Sequence, residues 1–551
     1  MRMGEILARK ERYEMATGIP YKTAQLEDEW DAIVVGSGMG GLTTAVMLAK
    51  HAGKRVLVLE RHYTAGGFTH TFHRPDFEWD VGLHYIGQMR HGEAVRKAFD
   101  HVTGGAVEWQ MMPDVYDRVC VEDGKGPDGA ARRFDYTAGP IRMRQQMVEW
   151  FPGEVKAIDK YLEWVKGANQ LSLYFFAEKA LPVWWKPLVG GSLRRSYLKF
   201  AKRTTAETLR KLKASPELAG VLTAQWGDYG LPPGESSFGI HATIWGHYLR
   251  GAAYPVGGAG VIAAAMARII EGAGGKLVVA AEVERIVLQG RRAVGVKMVD
   301  GREFRAPMIF SDAGAATTFE RLLPQDLPST RRLRRKLAAI GPSSAHVSLY
   351  VGLNASDAEL GTDPANLWVF PSLDHDGNVG RFAADVDAPL PVVYLSFPSA
   401  KDPDFGRRHP GKSTVEVITM VPYEWFAKWE GSRWQRREEE YEALKAKLTG
   451  RLMEVLEKHV PAVRGRVEHA ELSTPLTTRH FANYAHGEIY GVSARPERYQ
   501  LRELEARTPV KGLYLTGQDV ATPGVAGALF GGVISAGVAL GKNLMRAMGK
   551  S

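Results

Sequence analysis

Cysteine is almost absent from this sequence, since Cys120 is the only one among 551 residues. A single thiol excludes disulfide bonds within the chain, cysteine-rich metal sites and a dithiol redox pair. The loose group of His480, His486 and Glu488 fits no standard metal-site spacing. The sequence therefore predicts a protein without a bound metal that folds in a reducing compartment, and we expect the cytoplasm.

Long uninterrupted apolar stretches are also scarce. Residues 1–30 are polar and charged, without the apolar core of a secretory signal peptide. Residues 520–541 are uncharged and numerous enough to span a bilayer, but they include Pro523 and several glycines. We predict a buried helix in this segment and no membrane span.

Basic residues exceed acidic ones, giving a formal net charge of +9 and a pI near 9.3. Such a balance suits an anionic partner, either nucleic acid or a membrane surface. The basic residues are spread along the chain without a nucleic-acid-binding motif, so we expect no nucleic acid and favour peripheral membrane contact. The length predicts two or more domains.

Near the N-terminus, glycines in G-x-G-x-x-G spacing follow a short apolar strand. The run Asp-Ala-Ile-Val-Val-Gly-Ser-Gly-Met-Gly-Gly-Leu places Gly36, Gly38 and Gly41 between a predicted strand, Ala32–Val35, and a predicted helix over 42–49. These glycines permit a tight turn, close approach of backbone amides to a pyrophosphate, and close packing of helix on sheet. The helix N-terminus adds N–H groups and partial positive charge, so the motif predicts dinucleotide binding.

An acidic residue and a glycine pair follow this motif. A second predicted strand, 55–59, leads into Glu60, at the position where a carboxylate binds a ribose 2′-hydroxyl and disfavours a 2′-phosphate. Gly66 and Gly67 would let the backbone pass beside a pyrophosphate and a flavin.

A second pattern lies close to the C-terminus. The run Gly-Leu-Tyr-Leu-Thr-Gly-Gln-Asp predicts a short strand that leads into Asp519, followed by a helix of small residues. Either pattern alone is weak. The pair, separated by most of the chain, favours a flavin dinucleotide held in one domain built from both ends.

The intervening sequence alternates between two characters. Strand and helix patterns typical of a nucleotide-binding domain return after residue 254. They predict a helix over 261–271 and strands at 276–280, 283–288, 293–298 and 306–311. Further strands at Ala345–Leu353 and 391–397 and a charged helix over 432–459 are predicted outside it. We therefore predict an α/β protein whose nucleotide-binding domain consists of segments 30–95, 254–320 and 505–551. The remaining segments, 96–253 and 321–504, would form a discontinuous α+β substrate domain, and the first of them would also face the membrane.

Several segments together carry a resemblance to a known family. Besides the three glycine patterns, they are Asp-Val-Gly-Leu-His-Tyr-Ile-Gly, ending at Gly87, and Tyr-Pro-Val-Gly-Gly, ending at Gly258. The chain resembles the retinol saturase, phytoene desaturase and carotenoid isomerase group of FAD-dependent oxidoreductases. The segments Leu-His-Tyr-Ile-Gly and Leu-Tyr-Leu-Thr-Gly-Gln-Asp are closest to retinol saturases. The resemblance extends over nearly the whole chain.

The resemblance implies a two-dinucleotide-binding-domain flavoprotein that binds FAD. Val283 would offer its backbone to the adenine, Asp519 would lie near the ribityl chain or pyrophosphate, and Gly524 and Val525 would lie near the isoalloxazine ring. The full set of implied cofactor residues is Gly36, Ser37, Gly38, Met39, Gly40, Gly41, Glu60, Arg61, Gly66, Gly67, Phe68, Val283, Gly517, Asp519, Gly524 and Val525.

In this group a hydride passes between flavin N5 and a carbon chain. The leading hypothesis is saturation of a double bond in a retinoid-like or polyene lipid. Desaturation of a carotenoid or fatty acyl chain and isomerisation of a polyene are enzymatic alternatives, and a prenyl-lipid escort protein without flavin is the non-enzymatic one. The chain has no second glycine fingerprint for a nicotinamide cofactor, so electrons would pass through a transient partner: NAD(P)H, a quinone or oxygen.

Proton-donor candidates are His84, Tyr85, His247, Tyr248 and Tyr490, with His84 as the first choice. Asp228 and Glu235 flank a Pro-Pro-Gly turn and suit capping or surface roles. Basic and aromatic residues mix over 171–200, which is typical of a helix at a lipid interface. The aromatic candidates for a lipid tunnel or membrane face, with core packing as the alternative, are Tyr174, Phe175, Phe176, Trp184, Trp185, Trp245 and Tyr248.

Overall fold

The computed structural model describes residues 17–181 and 190–548. In chain order its strands are β1 (Ile19–Pro20), β2 (Ala32–Val35), β3 (Val56–Leu59), β4 (Thr71–Arg74), β5 (Phe77–Asp80), β6 (Ile86–Gly87), β7 (Trp109–Met111), β8 (Val115–Val121), β9 (Arg132–Thr137), β10 (Ala252–Pro255), β11 (Lys276–Val279), β12 (Val283–Gln289), β13 (Arg292–Met298), β14 (Glu303–Arg305), β15 (Ile309–Ser311), β16 (Ala345–Leu353), β17 (Asn366–Phe370), β18 (Val393–Ser396), β19 (Ser413–Val421), β20 (Val467–Ser473) and β21 (Leu513–Leu515).

The longer helices are α1 (Met39–Ala52), α2 (Ala94–Thr103), α3 (Pro140–Trp150), α4 (Val155–Lys179), α5 (Gly191–Ala201), α6 (Phe238–Tyr248), α7 (Gly260–Gly272), α8 (Arg331–Ile340), α9 (His375–Ala384), α10 (Glu439–His459) and α11 (Val525–Leu540). Shorter helices lie at Thr205–Lys211, Pro216–Leu222, Ala315–Thr317, Asp357–Leu360, Pro398–Lys401, Phe405–Arg408, Glu424–Ala427, Pro475–Ala482, Pro496–Gln500 and Leu544–Met548.

A six-stranded parallel sheet forms the Rossmann-like half of the molecule, with the spatial order β1-β11-β3-β2-β15-β21. Its central strands are apolar at every position because both faces are covered. Helices α1, α7 and α11 pack over one face, and β12–β14 with α8 pack over the other. The predicted Rossmann-like α/β fold is confirmed. Both ends of the chain contribute strands to this sheet, since β1 and β21 are its edge strands.

A seven-stranded mixed sheet forms the other half, with the order β20-β16-β19-β18-β17-β8-β9. All its pairs are antiparallel except β17 with β8. Side chains alternate across its strands. One face carries apolar residues such as Val347, Leu349 and Val417, which pack with Leu448 and Leu452 of α10. The opposite face carries polar and aromatic side chains and turns toward the site described below.

The hairpin β4–β5 joins the two halves. Trp79 of β5 is 1% exposed, and its indole N–H donates to the carbonyl oxygen of Val351 in β16 at 3.1 Å. The ring also stacks on Phe72 and Phe77. One buried side chain therefore links the nucleotide half to the seven-stranded sheet.

The predicted elements differ from the observed ones mainly at their ends. The predicted strand 306–311 is observed only as β15, and the predicted helix 432–459 begins later, at Glu439. The buried helix predicted within 520–541 is α11, which starts after Gly524 and packs against α1. Within residues 17–181 and 190–548, no helix combines the length and apolarity needed to cross a membrane. The domain limits given above stay predictions.

Replacing Trp79 with alanine should destabilise the protein by about 3–5 kcal/mol, because a large buried ring and its hydrogen bond are both lost. Urea denaturation followed by tryptophan fluorescence and circular dichroism measures this. The matched control is Val299→Ala at a side chain that is 62% exposed, where the change should stay within about 0.5 kcal/mol. Equal stability of the two variants would contradict the linking role.

Candidate functional site

The first glycine turn has the geometry of an anion site. Gly36 adopts a φ of 95°, a conformation that side chains rarely take. Helix α1 follows at once, and its N-cap is Gly38, which has no side chain to cap the first amides. Those amides and the helix dipole therefore point at a space suited to phosphate.

Three glycine segments meet around this turn, backbone against backbone. A Cβ on Gly67 would lie 2.8 Å from the Cα of Gly38, and one on Gly532 would lie 2.6 Å from the carbonyl oxygen of Gly40. A Cβ on Gly40 would collide with the Cα of Gly517. The N-terminal motif, the 66–67 loop and the C-terminal motif thus form one cradle that only glycine permits.

A single cavity of about 610 Å³ starts at this cradle and reaches the polar face of the seven-stranded sheet. Most predicted cofactor residues line it: Gly36, Gly38, Met39, Gly40, Glu60, Arg61, Gly66, Gly67, Phe68, Val283, Asp519, Gly524 and Val525. Ser37, Gly41 and Gly517 are not among its lining residues and support the cradle from behind.

Glu60 lies at the cavity wall with its carboxylate held in place. Its Oε2 accepts hydrogen bonds from the backbone N–H and the hydroxyl of Ser37, at 2.8 and 2.7 Å, and its Oε1 accepts from the N–H of His62 at 2.8 Å. A carboxylate fixed at the end of β3 is in the position that a ribose hydroxyl requires.

The Asp519 carboxylate forms its hydrogen bonds with backbone N–H groups of other segments of the chain. Its two carboxylate oxygens accept the N–H groups of Ala315, at 2.7 Å, and Val492, at 3.0 Å, and Arg498 Nη1 lies 3.5 Å away. The residue therefore ties three distant segments together at the cradle.

Asp312 is a cradle residue that sequence reasoning missed. A Cβ on Gly38 would lie 2.6 Å from its Oδ2, and one on Gly40 would lie 2.6 Å from its Oδ1. Burial raises the pKa of Asp312 to about 8; the charges of Glu60 and Asp519 add to this, and the amides of Gly41 and Gly38 oppose it. The available signal was the run Ser-Asp-Ala-Gly at the end of β15, beside β2.

The far wall of the cavity is the polar face of the seven-stranded sheet. His346 and Tyr350 of β16, Tyr394 of β18, and Ile418 and Met420 of β19 line it. His346 Nδ1 and the Tyr394 hydroxyl are buried without a hydrogen-bond partner among the described residues. Buried polar atoms are usually paired, so these two can receive a polar atom of a ligand.

His84 lies at this wall with its Nδ1 2.6 Å from Glu416 Oε2. Burial, with the nearby Lys401 charge, lowers the pKa of His84 to about 3, and burial raises that of Glu416 to about 8. Burial therefore favours the neutral form of each group. The Lys401 ammonium donates to the carbonyl oxygen of His84 at 2.9 Å and to Asn366 and Ser396. A neutral imidazole suits hydrogen bonding to a ligand better than acid catalysis.

Two of the candidate tyrosines lie on different sides of the cavity wall. Tyr490 lines the cavity and donates to the carbonyl oxygen of Gly227 at 3.3 Å. Tyr85 is buried behind the lining residues, with its hydroxyl between Asp117 and Asp228. Asp228 itself lines the cavity, so the surface role expected for it was wrong.

The predicted aromatic tunnel wall is not the wall of this cavity. Phe175, Trp245 and Tyr248 are buried between α4, α5, α6 and their neighbours, where Tyr248 stacks on Tyr85. Phe176 is partly buried in the same core, and Tyr174 is exposed. The four buried or partly buried aromatics serve core packing, because large rings bury apolar area in any core. Trp184 and Trp185 lie outside the described residues.

The basic residues of the same segment also differ from expectation. Lys179 is buried and donates to the carbonyl oxygens of Leu504 and Val520, at 3.0 and 2.6 Å. Arg194 is 5% exposed and donates to the carbonyl oxygen of Tyr499 at 2.6 Å. Neither side chain can face a membrane surface.

Known proteins similar to this chain include retinol reductases and carotenoid isomerases that align with most of its length. Residues 34–102 match the NAD(P)-binding Rossmann-like domain family. All-trans-retinol 13,14-reductase of Danio rerio is 35% identical over 546 residues, covering 95% of this chain and 88% of that protein. A Danio rerio protein described as an inactive all-trans-retinol 13,14-reductase is 31% identical, covering 98% of this chain and 91% of that one. Prolycopene isomerase 1 of an Oncidium hybrid cultivar is 29% identical, covering 92% and 83%.

Among solved structures, a putrescine oxidase aligns with a TM-score of 0.60 at 15% identity, covering 93% of this chain and 99% of that one. Cyclohexylamine oxidase from Brevibacterium oxydans aligns with a TM-score of 0.56 at 18% identity, covering 95% and 99%. At these identities the likeness shows the fold alone. The Rossmann-like domain and the cradle together indicate a flavin-type dinucleotide cofactor.

Asp312 should make dinucleotide binding depend on pH. Its carboxyl is mostly neutral at pH 7 and mostly ionised at pH 9, where it would repel the phosphates brought to the same turn. We expect the affinity for FAD, measured by fluorescence titration of the cofactor-free protein, to fall about tenfold from pH 7 to pH 9. The Asp312→Asn variant should show no such fall.

The matched control is Asp326→Asn, at an exposed carboxylate outside the cavity lining, which should keep the wild-type pH dependence. An Asp312→Asn variant that loses affinity between pH 7 and pH 9 as the wild type does would contradict the assignment.

Proposed function

Because this chain belongs to the all-trans-retinol 13,14-reductase family, we propose that it is an FAD-dependent oxidoreductase that saturates a carbon–carbon double bond of a retinoid or related polyene lipid. The observation that carries the proposal is the single cavity that joins the glycine cradle to the buried face of the seven-stranded sheet. A cofactor and an apolar substrate can meet there without water between them.

The residues of the cradle fit FAD. Gly38, Gly40 and Gly67 leave no room for side chains of their own, so backbone amides would approach the pyrophosphate closely. Glu60 would bind the ribose, and the turn before α11, at Gly524 and Val525, would lie beside the flavin ring. When bound, FAD supplies a hydride equivalent at N5.

The remaining tasks belong to side chains of the cavity. Apolar residues such as Ile418 and Met420 exclude water from the polyene, and Phe68 lies between the cradle and the far wall. The unpartnered His346 and Tyr394 side chains can orient a polar end group. A group that delivers a proton to the second carbon of the double bond completes the reduction.

Anaerobic flavin spectroscopy separates this proposal from its rivals. We expect all-trans-retinol to reoxidise the pre-reduced protein and to lose one double bond. Bleaching of the oxidised flavin by the lipid would indicate desaturation, and lipid isomerisation without net flavin change would indicate an isomerase. Lipid binding without any of these changes would contradict an enzymatic role. This outcome has to be tested because one related protein is described as inactive. NAD(P)H, a quinone and oxygen are the electron partners to be tested.

We also propose that the protein is cytoplasmic and associates peripherally with membranes through α4 and α5. Leu173 and Tyr174 of α4 are 69% and 55% exposed. Arg195 and Lys199 of the adjacent α5 are exposed as well. Exposed apolar side chains beside basic ones suit the boundary of an anionic bilayer, from which an apolar lipid can be drawn.

Replacing Leu173 and Tyr174 together with aspartate should remove most binding to vesicles that contain an anionic phospholipid, since apolar contact is lost and repulsion is added. Co-sedimentation measures the bound fraction. Val299→Asp, at an equally exposed apolar residue on the β13–β14 turn, should bind as the wild type does. Full co-sedimentation of the double variant would exclude this surface.

A further inference from the structure

Two carboxyl groups, of the buried Asp117 and the half-buried Asp228, share one tyrosine hydroxyl at the edge of the cavity. The Tyr85 hydroxyl lies 3.0 Å from Asp117 Oδ2 and 2.9 Å from Asp228 Oδ2. A hydroxyl has one proton to donate and ionised carboxylates only accept. With both carboxyls ionised, one of the two contacts would bring an oxygen lone pair against a negative charge, so at least one carboxyl holds a proton.

Counting donors shows which one holds it. Asp117 accepts from Asn366 Nδ2 at 2.8 Å and from Gln225 Nε2 at 2.7 Å, in addition to Tyr85. Among the described residues, Asp228 receives a side-chain hydrogen bond from Tyr85 alone. Hydrogen bonds to the charged form stabilise it, so Asp117 is the better carboxylate and Asp228 the better carboxylic acid.

The electrostatic surroundings act in the same direction. Burial raises the pKa of Asp228 well above its usual range, and the charge of Asp117 raises it further. Lys401, whose Nζ lies 5.9 Å from the centre of the Tyr85 ring, is a nearby cation. The other titratable neighbours are tyrosines whose pKa values are raised by burial: Tyr116, Tyr229, Tyr248, Tyr394 and Tyr490.

Asp228 lies between two segments that border the cofactor cradle. On one side, Tyr490 donates to the carbonyl oxygen of Gly227, and the adjacent Ile489 accepts from Gln518, next to Asp519. On the other side, the chain that carries Tyr85 passes Phe68, since a Cβ on Gly82 would lie 3.2 Å from the Phe68 carbonyl oxygen. Gly227 and Asp228 both line the cavity between these segments.

We propose that Asp228 is the proton donor of the double-bond reduction, kept as a neutral carboxylic acid by Tyr85 and Asp117. This inference rests on the proposed function. Bound reduced FAD would supply the hydride for one carbon of the double bond. The O–H bond of Asp228 breaks, and its proton forms the C–H bond at the other carbon. The Tyr85 hydroxyl then donates to the new Asp228 carboxylate, and water that enters the cavity returns the proton.

The test uses the intact flavin-loaded protein with Asp228→Asn, Asp228→Glu and, as the matched control, Glu235→Gln. Glu235 is a carboxylate on the same turn that pairs with Arg495 outside the cavity lining. We expect Asp228→Asn to slow reoxidation of the pre-reduced flavin by all-trans-retinol by about 10²–10⁴-fold. Asp228→Glu should restore much of the rate, and the control should match the wild type.

Two readouts do not depend on turnover. Retinol binding to the oxidised protein, followed by its absorbance, should be unchanged in Asp228→Asn, which shows that the variant folds and keeps its cavity. Infrared spectroscopy at pH 7 should show a protonated carboxyl band that shifts in D₂O in the difference between the wild type and Asp228→Asn, because subtraction cancels the bands of Asp312 and Glu416; the difference between the wild type and Glu235→Gln should lack it.

Reoxidation of Asp228→Asn at the wild-type rate, or the absence of a protonated carboxyl band from the difference between the wild type and Asp228→Asn, would overturn the proposal. If the wild-type protein keeps the Asp228 band but no polyene reoxidises its flavin, the proposed function fails and the donor role fails with it, while the protonation of Asp228 stands.

Discussion

Where Gly40 meets Gly517, two backbones from opposite ends of the chain approach more closely than any side chain would allow. Gly532 of α11 adds a third close approach at the carbonyl oxygen of Gly40. These contacts hold α1 and α11 together over the six-stranded sheet and leave the first amides of α1 facing a common cavity. This packing also places the other parts of the cradle around the same cavity. They are Glu60, the 66–67 loop and the turn before α11.

A second constraint is the amount of buried negative charge beside a site for phosphate. The molecule meets it in two ways. In the first, the carboxylates of Glu60 and Asp519 accept hydrogen bonds from backbone N–H groups, and Asp519 also lies beside Arg498. In the second, burial raises the pKa of Asp312 to about 8, which favours its neutral form at pH 7. The same solution recurs behind the far wall, where burial raises the pKa of Glu416 beside His84. A neutral carboxyl at such a buried position avoids the cost of an unpaired charge.

The sequence predicted the parts of this structure that depend on local pattern. The strands β2 and β16 were predicted with their observed limits, since apolar runs and glycine spacing are local. Asp312, Asp228 and Glu416 were missed because their roles come from contacts between segments hundreds of residues apart. The aromatic tunnel was wrong for a related reason: composition around Phe175 and Trp245 cannot distinguish a core from a cavity wall, and only the packing of α4, α5 and α6 decides it.

The central claim is that one dinucleotide lies across both glycine motifs and faces a lipid cavity bounded by the seven-stranded sheet. Crystallography of the protein with FAD and all-trans-retinol tests it most directly. The account predicts pyrophosphate density at the first amides of α1, the flavin ring beside Gly524 and Val525, and the polyene between that ring and Tyr394. Density for the dinucleotide away from the contact of Gly40 with Gly517, or for the polyene outside this cavity, would contradict it.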